Sequence, residues 1–336
     1  MQTLHCHTTT SDGLLTYQQV LDICKREGIK AVVFTDHDAV PDAQKLIELE
    51  QLKSHSVKWI YGIEMSSGLP IEVGGGPYSG FHVVGLFVDP TYQPLVEYCQ
   101  KAQASRRERM QTMVQNLQGL EFTITEADCL KASGGESVGR PHIVTALNYH
   151  SENNQVMGKL LNQMKKAGES DSGIRKEFEN LMERGESQYP YVLFLSNEAF
   201  IKGVFVDYLY WLNFDECVKL IRDAGGVAVI AHYFSAKSKV LPELLEKICK
   251  EKRIDGLETV FGYFGYKTPM EEEIVSSRSI CQNLVETYDL IASGGADAHQ
   301  EQDLIDFAKA SWYNQDTNRM MKKIVEKYPD LKSRIY

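Results

Sequence analysis

The chain lacks what a membrane span requires, because its 336 residues contain no unbroken apolar run approaching the roughly 18 to 20 residues of a transmembrane helix. It lacks a cysteine pattern as well. The seven cysteines, at 6, 24, 99, 129, 217, 249 and 281, include no Cys-x-x-Cys, and an odd, scattered set suits reduced thiols rather than a disulfide framework. Positive charge is short too: a formal net charge of −10 argues against a large footprint on duplex DNA. A small phosphorylated substrate stays open, since bound divalent ions supply local positive charge that composition does not count. The composition of 43% hydrophobic and 24% charged residues excludes a disordered or collagen-like chain. Gly74-Gly75-Gly76 has neither the spacing of a phosphate loop nor a helix behind it, and reads as a hairpin turn. No room for a cleavable signal is expected ahead of the first chemical motif, so a cytoplasmic location without a membrane partner is expected. The length suits one large barrel, or a barrel carrying a smaller inserted domain.

What is present is histidine and carboxylate at the ends of β-branched runs. The chain opens Leu4-His5-Cys6-His7-Thr8-Thr9-Thr10-Ser11-Asp12-Gly13. On a strand, side chains at i and i+2 share a face, so His5 and His7 can reach one ion, and Asp12 can fold back over the strand end as a hard oxygen ligand. Cys6 points to the opposite face and reads as a small core residue. Alone, His-x-His is weak evidence, because two polar residues on an edge strand look the same. The other groups strengthen it: His37 in Thr35-Asp36-His37-Asp38, Glu64 closing Trp59-Ile60-Tyr61-Gly62-Ile63-Glu64, His82 opening the strand Phe81 to Val88, His232 after Val229-Ile230-Ala231, and His299 in Asp297-Ala298-His299. In a barrel of parallel strands the carboxyl ends converge on one face. Imidazoles and carboxylates gathered there need partners, since unpaired burial costs several kcal/mol each, and metal ions would supply them. Asp36 and Asp38 are expected to orient ligand imidazoles from behind, and His55 to be a solvated surface residue.

The first ninety residues alternate strand and helix. Thr16 can cap a helix ended by Gly28, Lys30 to Thr35 reads as a strand, Asp42 to Lys53 as a helix, and Val57 to Glu64 as the next strand. From Tyr92 the pattern becomes helical. The run Arg106-Arg107-Glu108-Arg109 is expected to be a solvated helix face ahead of a phosphate-binding one. Gly134-Gly135-Glu136-Ser137-Val138-Gly139-Arg140-Pro141-His142 reads as a loop feeding a helix with Pro141 in its first turn, where Arg140 and the free backbone N–H groups form an anion site, or where Arg140 caps a neighbouring element. The aromatic segment Phe200 to Phe214 reads as core or an oligomer contact ahead of a base-stacking platform. Alternation resumes after Asp215, with Val227 to Ala231 and Asp255 to Thr259 as strands, Glu258 near the end of the latter.

The set His5-x-His7, Ser11-Asp12-Gly13, Thr35-Asp36-His37-Asp38, Glu64, His82, Ala231-His232 and Asp297-x-His299 resembles the polymerase and histidinol phosphatase (PHP) family of metal-dependent phosphoesterases. With Ser11-Asp12-Gly13 and Gly139-Arg140-Pro141-His142 it is similar to the branch that hydrolyses 3′,5′-bisphosphate nucleotides and trims short RNA from its 5′ end. The resemblance implies an α/β fold, a distorted (β/α)7 TIM-like barrel from residues 1–92 and 213–336, with an inserted, mainly helical subdomain over 93–212. Tyr189-Pro190-Tyr191-Val192 resembles the family's return to the barrel. The resemblance also implies two or three divalent ions, Mn²⁺ first and Zn²⁺ or Fe²⁺ as alternatives: His5, His7, Glu64 and Asp297 for one, Glu64, His82 and His232 for a second, Asp12, His37 and His299 for a third. A hydroxide held between ions would attack phosphorus in line. Arg140 and His142 would bind the substrate phosphate, and His142 would either protonate the leaving group or serve binding alone. The expected substrate is a phosphorylated small molecule or short RNA. The alternatives are a small-metabolite phosphatase, such as a histidinol phosphatase, and an inactive scaffold or binding module. Tyr233-Phe234, Ala296 and Ala298 depart from the family's pattern.

Overall fold

A computed structural model describes residues 1–133, 138–265, 267–268, 270–310 and 317–336. The chain divides into two compact units, residues 1–103 with 210–336, and residues 104–209.

The first unit is built on a curled seven-stranded sheet in sequence order: β1 (Gln2–Thr3), β2 (Ala31–Phe34), β3 (Lys58–Gly68), β4 (Pro77–Leu86), β5 (Val227–Ile230), β6 (Gly256–Val260) and β7 (Ile291–Gly294). The helices of the alternation are written locally. In α1 (Tyr17–Glu27) the Thr16 hydroxyl accepts the Gln19 N–H while the Gln19 side chain accepts the Thr16 N–H, and Gly28 ends the helix at φ 77°, a conformation that costs glycine nothing. Asp42 caps α2 (Ala43–Gln51), and Asn213 with Glu216 repeats the reciprocal cap on α9 (Phe214–Asp223). The remaining helices among the described residues of this unit are α10 (Pro242–Lys250), α11 (Glu271–Tyr288), α12 (Glu301–Lys309) and α13 (Met320–Lys327), and α3 (Gln93–Gly119) starts in it. Trp59, Phe81, Phe87, Phe214, Phe261 and Phe307 are fully buried in its core.

Two expectations are corrected here. The sheet is not wholly parallel, because β4 runs antiparallel to both β3 and β5. The reason is the connection: residues 69–76 are too few for a crossover helix, so the chain turns back as a hairpin. His82 therefore sits inside β4, opposite Ser66, rather than opening a strand. Because β4 runs opposite to its neighbours, His82 can lie beside Glu64 and His232 at the end where the parallel strands finish. His55 is not solvated either: its side chain is 13% exposed, its Nδ1 accepts the Val57 N–H, and its Nε2 lies 3.5 Å from Asp22.

The segment that follows β1 runs beside the end of β7. Leu4 donates its backbone N–H to Gly294, Asp297 donates to His5, and His7 donates to Ala298.

The second unit is helical: the end of α3, then α4 (Glu126–Ser133), α5 (Arg140–Leu147), α6 (Asn153–Ala167), α7 (Ser172–Arg184) and α8 (Tyr189–Leu193). Met110, Leu117, Phe122, Ile143, Phe194 and Leu195 form a core of its own. Tyr189-Pro190-Tyr191-Val192 lies within this unit as α8, so the chain re-enters the first unit only at Tyr210. Residues 134–137, which open the expected anion loop, lie outside the described residues. No helix among the described residues is long and apolar enough to cross a membrane.

Candidate metal centre

Residues 4–7 run between Thr35 on one side and residues 294–298 on the other, held by the Thr35 N–H on Cys6 O and by the bonds to the seventh strand. That extended backbone puts His5 and His7 on one face, ring centroids 5.2 Å apart, while Cys6 is fully buried opposite. The loop after it is folded by its own polar groups. Gly13 and Ser11 both donate to Thr8 O, and Asp36 accepts from the Thr8 N–H (2.7 Å), the Thr8 hydroxyl and the Ser11 hydroxyl (2.8 Å). Asp12 is thereby turned back toward His7, His37 and His299.

Glu64 is the centre of the arrangement and is fully buried. His5 Nε2, His37 Nδ1 and His7 Nε2 lie 3.1, 3.1 and 3.2 Å from its Oε2, and His82 Nδ1 and His232 Nε2 lie 2.8 and 2.9 Å from its Oε1. Asp297 Oδ1 stands 3.1 Å from His7 and 3.4 Å from His5. Three overlapping groups have ligand atoms all within 4.8 Å of one another: His7, Asp12, His37 and His299; His5, His7, Glu64 and Asp297; and His37, Glu64 and His82. His232 lies outside these three groups yet touches Glu64. All nine metal candidates read from the sequence are thus brought to one rim, and three of the residues there carry strained backbones for non-glycine types: Asp38 at φ 48°, His232 at φ 24° and Asp297 at φ 49°.

Charge follows burial and neighbours. Burial opposes ionisation of Glu64, but His37, His5 and His82 hold its carboxyl well below the usual range. Burial likewise opposes Asp297, and His5, His7 and His299 overcome it. His37 is pushed down to about 3 by burial, which leaves its imidazole neutral. His299 is raised to about 10, Asp12 and Asp297 outweighing the burial that opposes them.

The donor set suits divalent cations. His7 and His5 point their Nε2 atoms at each other at 3.2 Å, and His7 Nδ1, His37 Nδ1 and His82 Nε2 are buried without a hydrogen-bond partner among the described residues. Buried imidazole nitrogens facing one another beside carboxylates are costly alone and are satisfied by a shared cation.

Four readings change. Asp36 spends its carboxylate on Thr8 and Ser11. Asp38 accepts from the Ser66 N–H and hydroxyl (both 2.7 Å) and from the Tyr98 hydroxyl (2.6 Å), bonds that, like those of Asp36 to Thr8 and Ser11, hold no imidazole. Two groups outside the sequence reading do: Glu258 Oε1 accepts from His5 Nδ1 at 2.7 Å, and Ser235 Oγ pairs with His232 Nδ1 at 2.9 Å. Their signal was a carboxylate inside a buried strand, Gly256-Leu257-Glu258-Thr259-Val260, and a hydroxyl three residues past a ligand. Tyr233 is one of the departures from the family's pattern. It is fully buried, donating to Val240 O, whereas Phe234 lies 6.4 Å from the His232 ring. Finally, Arg106 and Arg109 are not solvated; in the second unit they are 4% and 3% exposed.

That unit gathers cations. Arg109 donates Nε–H to Val206 O at 2.7 Å and lies 4.5 Å over the Tyr208 ring, its Nη2 buried without a hydrogen-bond partner among the described residues. Burial, with Arg140 and Arg106 nearby, lowers it to about 10, still charged at neutral pH. Arg140 Nη1 donates to Leu195 O at 3.4 Å, and its guanidinium faces Tyr191 and Phe205. His142 is buried, its Nδ1 accepting the Gly139 N–H at the start of α5. The aromatic segment before Phe214 thus supplies ring faces to arginines.

The PHP domain model matches residues 3–248. The chain is 26% identical to a 5′-3′ exoribonuclease of Haemophilus influenzae over 230 residues, 68% of this chain and 67% of that protein. It is 24% identical to a 3′,5′-nucleoside bisphosphate phosphatase of Chromobacterium violaceum over 238 residues, 68% of this chain and 65% of that protein. In fold it is similar to an amidohydrolase from Chromobacterium violaceum solved with sulfate and without metal, at a TM-score of 0.66 and 18% identity, covering 100% of this chain and 97% of that one. Family match and donor chemistry agree: the chain belongs to the PHP domain family and is a metal-dependent phosphoesterase.

Proposed function

We propose that this phosphoesterase hydrolyses a phosphate ester on a nucleotide or a short oligonucleotide, acting as a 3′,5′-bisphosphate nucleotide phosphatase or a 5′-3′ exoribonuclease. The observation that carries this reading is the convergence of five imidazoles on the two oxygens of Glu64. The names of the relatives supply the substrate class. The bonds joining residues 4–7 to 294–298 support reading the sheet as a distorted (β/α)7 barrel, with the helical unit as its insertion.

His5, His7, Glu64 and Asp297 would hold one ion, Glu64, His82 and His232 a second, and Asp12, His37 and His299 a third. Bound divalent ions, Mn²⁺ ahead of Zn²⁺ or Fe²⁺, supply Lewis acidity that lowers the pKa of water and neutralises phosphate oxygens. Glu64 would be shared between ion positions, since its Oε2 faces His5, His7 and His37 while its Oε1 faces His82 and His232. The buried floor under the cluster excludes bulk water, which strengthens every charge interaction at the reacting phosphorus. Arg140 would bind a substrate phosphate through its planar fork. His142 positions the start of α5 beside Arg140, or donates a proton to the leaving oxygen.

The test is a hydrolysis panel in Mn²⁺ with adenosine 3′,5′-bisphosphate, a 5′-phosphorylated RNA trinucleotide and histidinol phosphate. Turnover of either of the first two supports the reading. Turnover of histidinol phosphate alone, or of none, overturns it in favour of a metabolite phosphatase or an inactive scaffold.

A further inference from the structure

Glu258 lies in β6, which is paired in parallel with β5 on one side and β7 on the other, and is 1% exposed. It belongs to none of the three groups of candidate ligands. Each carboxylate oxygen is already engaged: Oε1 accepts the His5 Nδ1–H at 2.7 Å, and Oε2 accepts the backbone N–H of His232 at 2.8 Å. The Nε2 atoms of those two histidines face the two different oxygens of Glu64, at 3.1 and 2.9 Å. We infer that Glu258 is a positioning residue for both His5 and His232, coupling the two ion positions that share Glu64; this rests on the metal reading above.

The physics is specific to each histidine. A carboxylate on Nδ1–H fixes the imidazole tautomer with its lone pair on Nε2, turned to the cluster, and makes that nitrogen more basic. His232 has a different need, because its backbone sits at φ 24°, a strained conformation for a residue with a Cβ. The bond from Glu258 Oε2 holds that backbone, while the Ser235 hydroxyl meets the ring at Nδ1. Glu258 is thus the one described carboxylate that touches ligands delivered by two separate strand ends without pointing at the cluster itself.

The experiment loads wild type, Glu258→Gln and Glu258→Ala with Mn²⁺ and measures ions per chain and their affinities by elemental analysis and titration calorimetry. Melting of each chelated protein is read in parallel. A lost outer hydrogen bond to a ligand imidazole typically costs about 10- to 100-fold in metal affinity. Glu258→Ala is expected to lose that much at the positions sharing Glu64 while the Asp12, His37 and His299 position keeps its ion. Glu258→Gln keeps the volume and one acceptor oxygen for two donors, so it folds and falls between wild type and Glu258→Ala. Affinities within twofold of wild type in both variants overturn the inference, as does an equal loss at every position accompanied by a lowered melting temperature of the chelated protein. A wild-type chain that binds no divalent ion overturns the metal reading beneath it, a result distinct from wild type and variants loading alike.

Discussion

His82 Nδ1 lies 2.8 Å from Glu64 Oε1 across an antiparallel hairpin, so the two residues meet because the chain turns back between them. Glu64 thereby holds one imidazole from the facing strand of its hairpin and four more from three other segments, residues 5–7, His37 and His232. Glu64→Gln keeps the shape but removes the charge and one bridging oxygen. The expected outcome is loss of at least one ion per chain and a fall in kcat of about a thousandfold, several kcal/mol of lost charge stabilisation. Elemental analysis and steady-state kinetics check it; a variant with full metal content and near-normal kcat would remove Glu64 from the centre.

Chelation should destabilise the fold as well as stop turnover. An ion that binds only the folded chain at a hundredfold excess over its Kd contributes about 2.7 kcal/mol. With His7, His37 and His82 each holding a buried nitrogen without a hydrogen-bond partner among the described residues, the chelated protein should melt several degrees lower. Readdition of Mn²⁺ should restore both melting and activity, and unchanged melting after verified metal removal counts against the centre.

Arg140→Met should raise KM for a phosphorylated substrate about tenfold or more, the worth of a charge-assisted hydrogen bond, with a smaller change in kcat. Arg140→Lys should recover only part of this, because an ammonium cannot reproduce the planar fork. A kcat collapse at unchanged KM would instead place Arg140 in the chemistry.

Acid stability carries a separate signature. Glu72 lies 2.6 Å from Arg253, which also pairs with Asp215 at 2.7 Å, and the Arg253 hydrogen bond lowers Glu72 to about 2 against an ordinary 4.5. A depressed carboxylate contributes stability that is present above its unfolded pKa and lost as pH falls through its folded one. Arg253→Met should therefore cost about 1 kcal/mol at neutral pH, the pair being partly exposed, and the gap from wild type should close between pH 4.5 and 2. Denaturant melts across that range measure it.

The legible parts of this chain are those whose causes are local. Thr16, Gln19 and Gly28 specify α1 within thirteen residues, and the i and i+2 spacing of His5 and His7 fixes their common face. Glu64 and His232 could be named because each is a polar residue closing an apolar run, and the other candidates because they recur with them as a set. What was hidden depends on partners far along the chain. Asp36 looked like a support for imidazoles, but the Thr8 and Ser11 hydroxyls claim it, and Glu258, 253 residues from His5, takes that role. Arg106 and Arg109 look like any charged helix face until Phe205 and Tyr208, a hundred residues later, cover them.

Two glycines with positive φ separate backbone strain from steric fit. At Gly28, φ 77°, an added Cβ meets nothing within 4 Å, so Gly28→Ala should cost only the left-handed penalty of about 1–2 kcal/mol and leave metal content unchanged. At Gly294, φ 139°, the same Cβ would lie 2.1 Å from the Val260 carbonyl oxygen, backbone that cannot swing aside. Gly294 ends β7 and accepts the Leu4 N–H, three residues before Asp297. Gly294→Ala should therefore cost about 3 kcal/mol or more, strain and overlap adding, and should lower metal content because the join that delivers Asp297 beside His5 and His7 is prised open. Comparing the two variants by melting and by ions per chain decides it: equal destabilisation, or full metal content in Gly294→Ala, would mean that the turn into Asp297 yields without disturbing the ligands it carries.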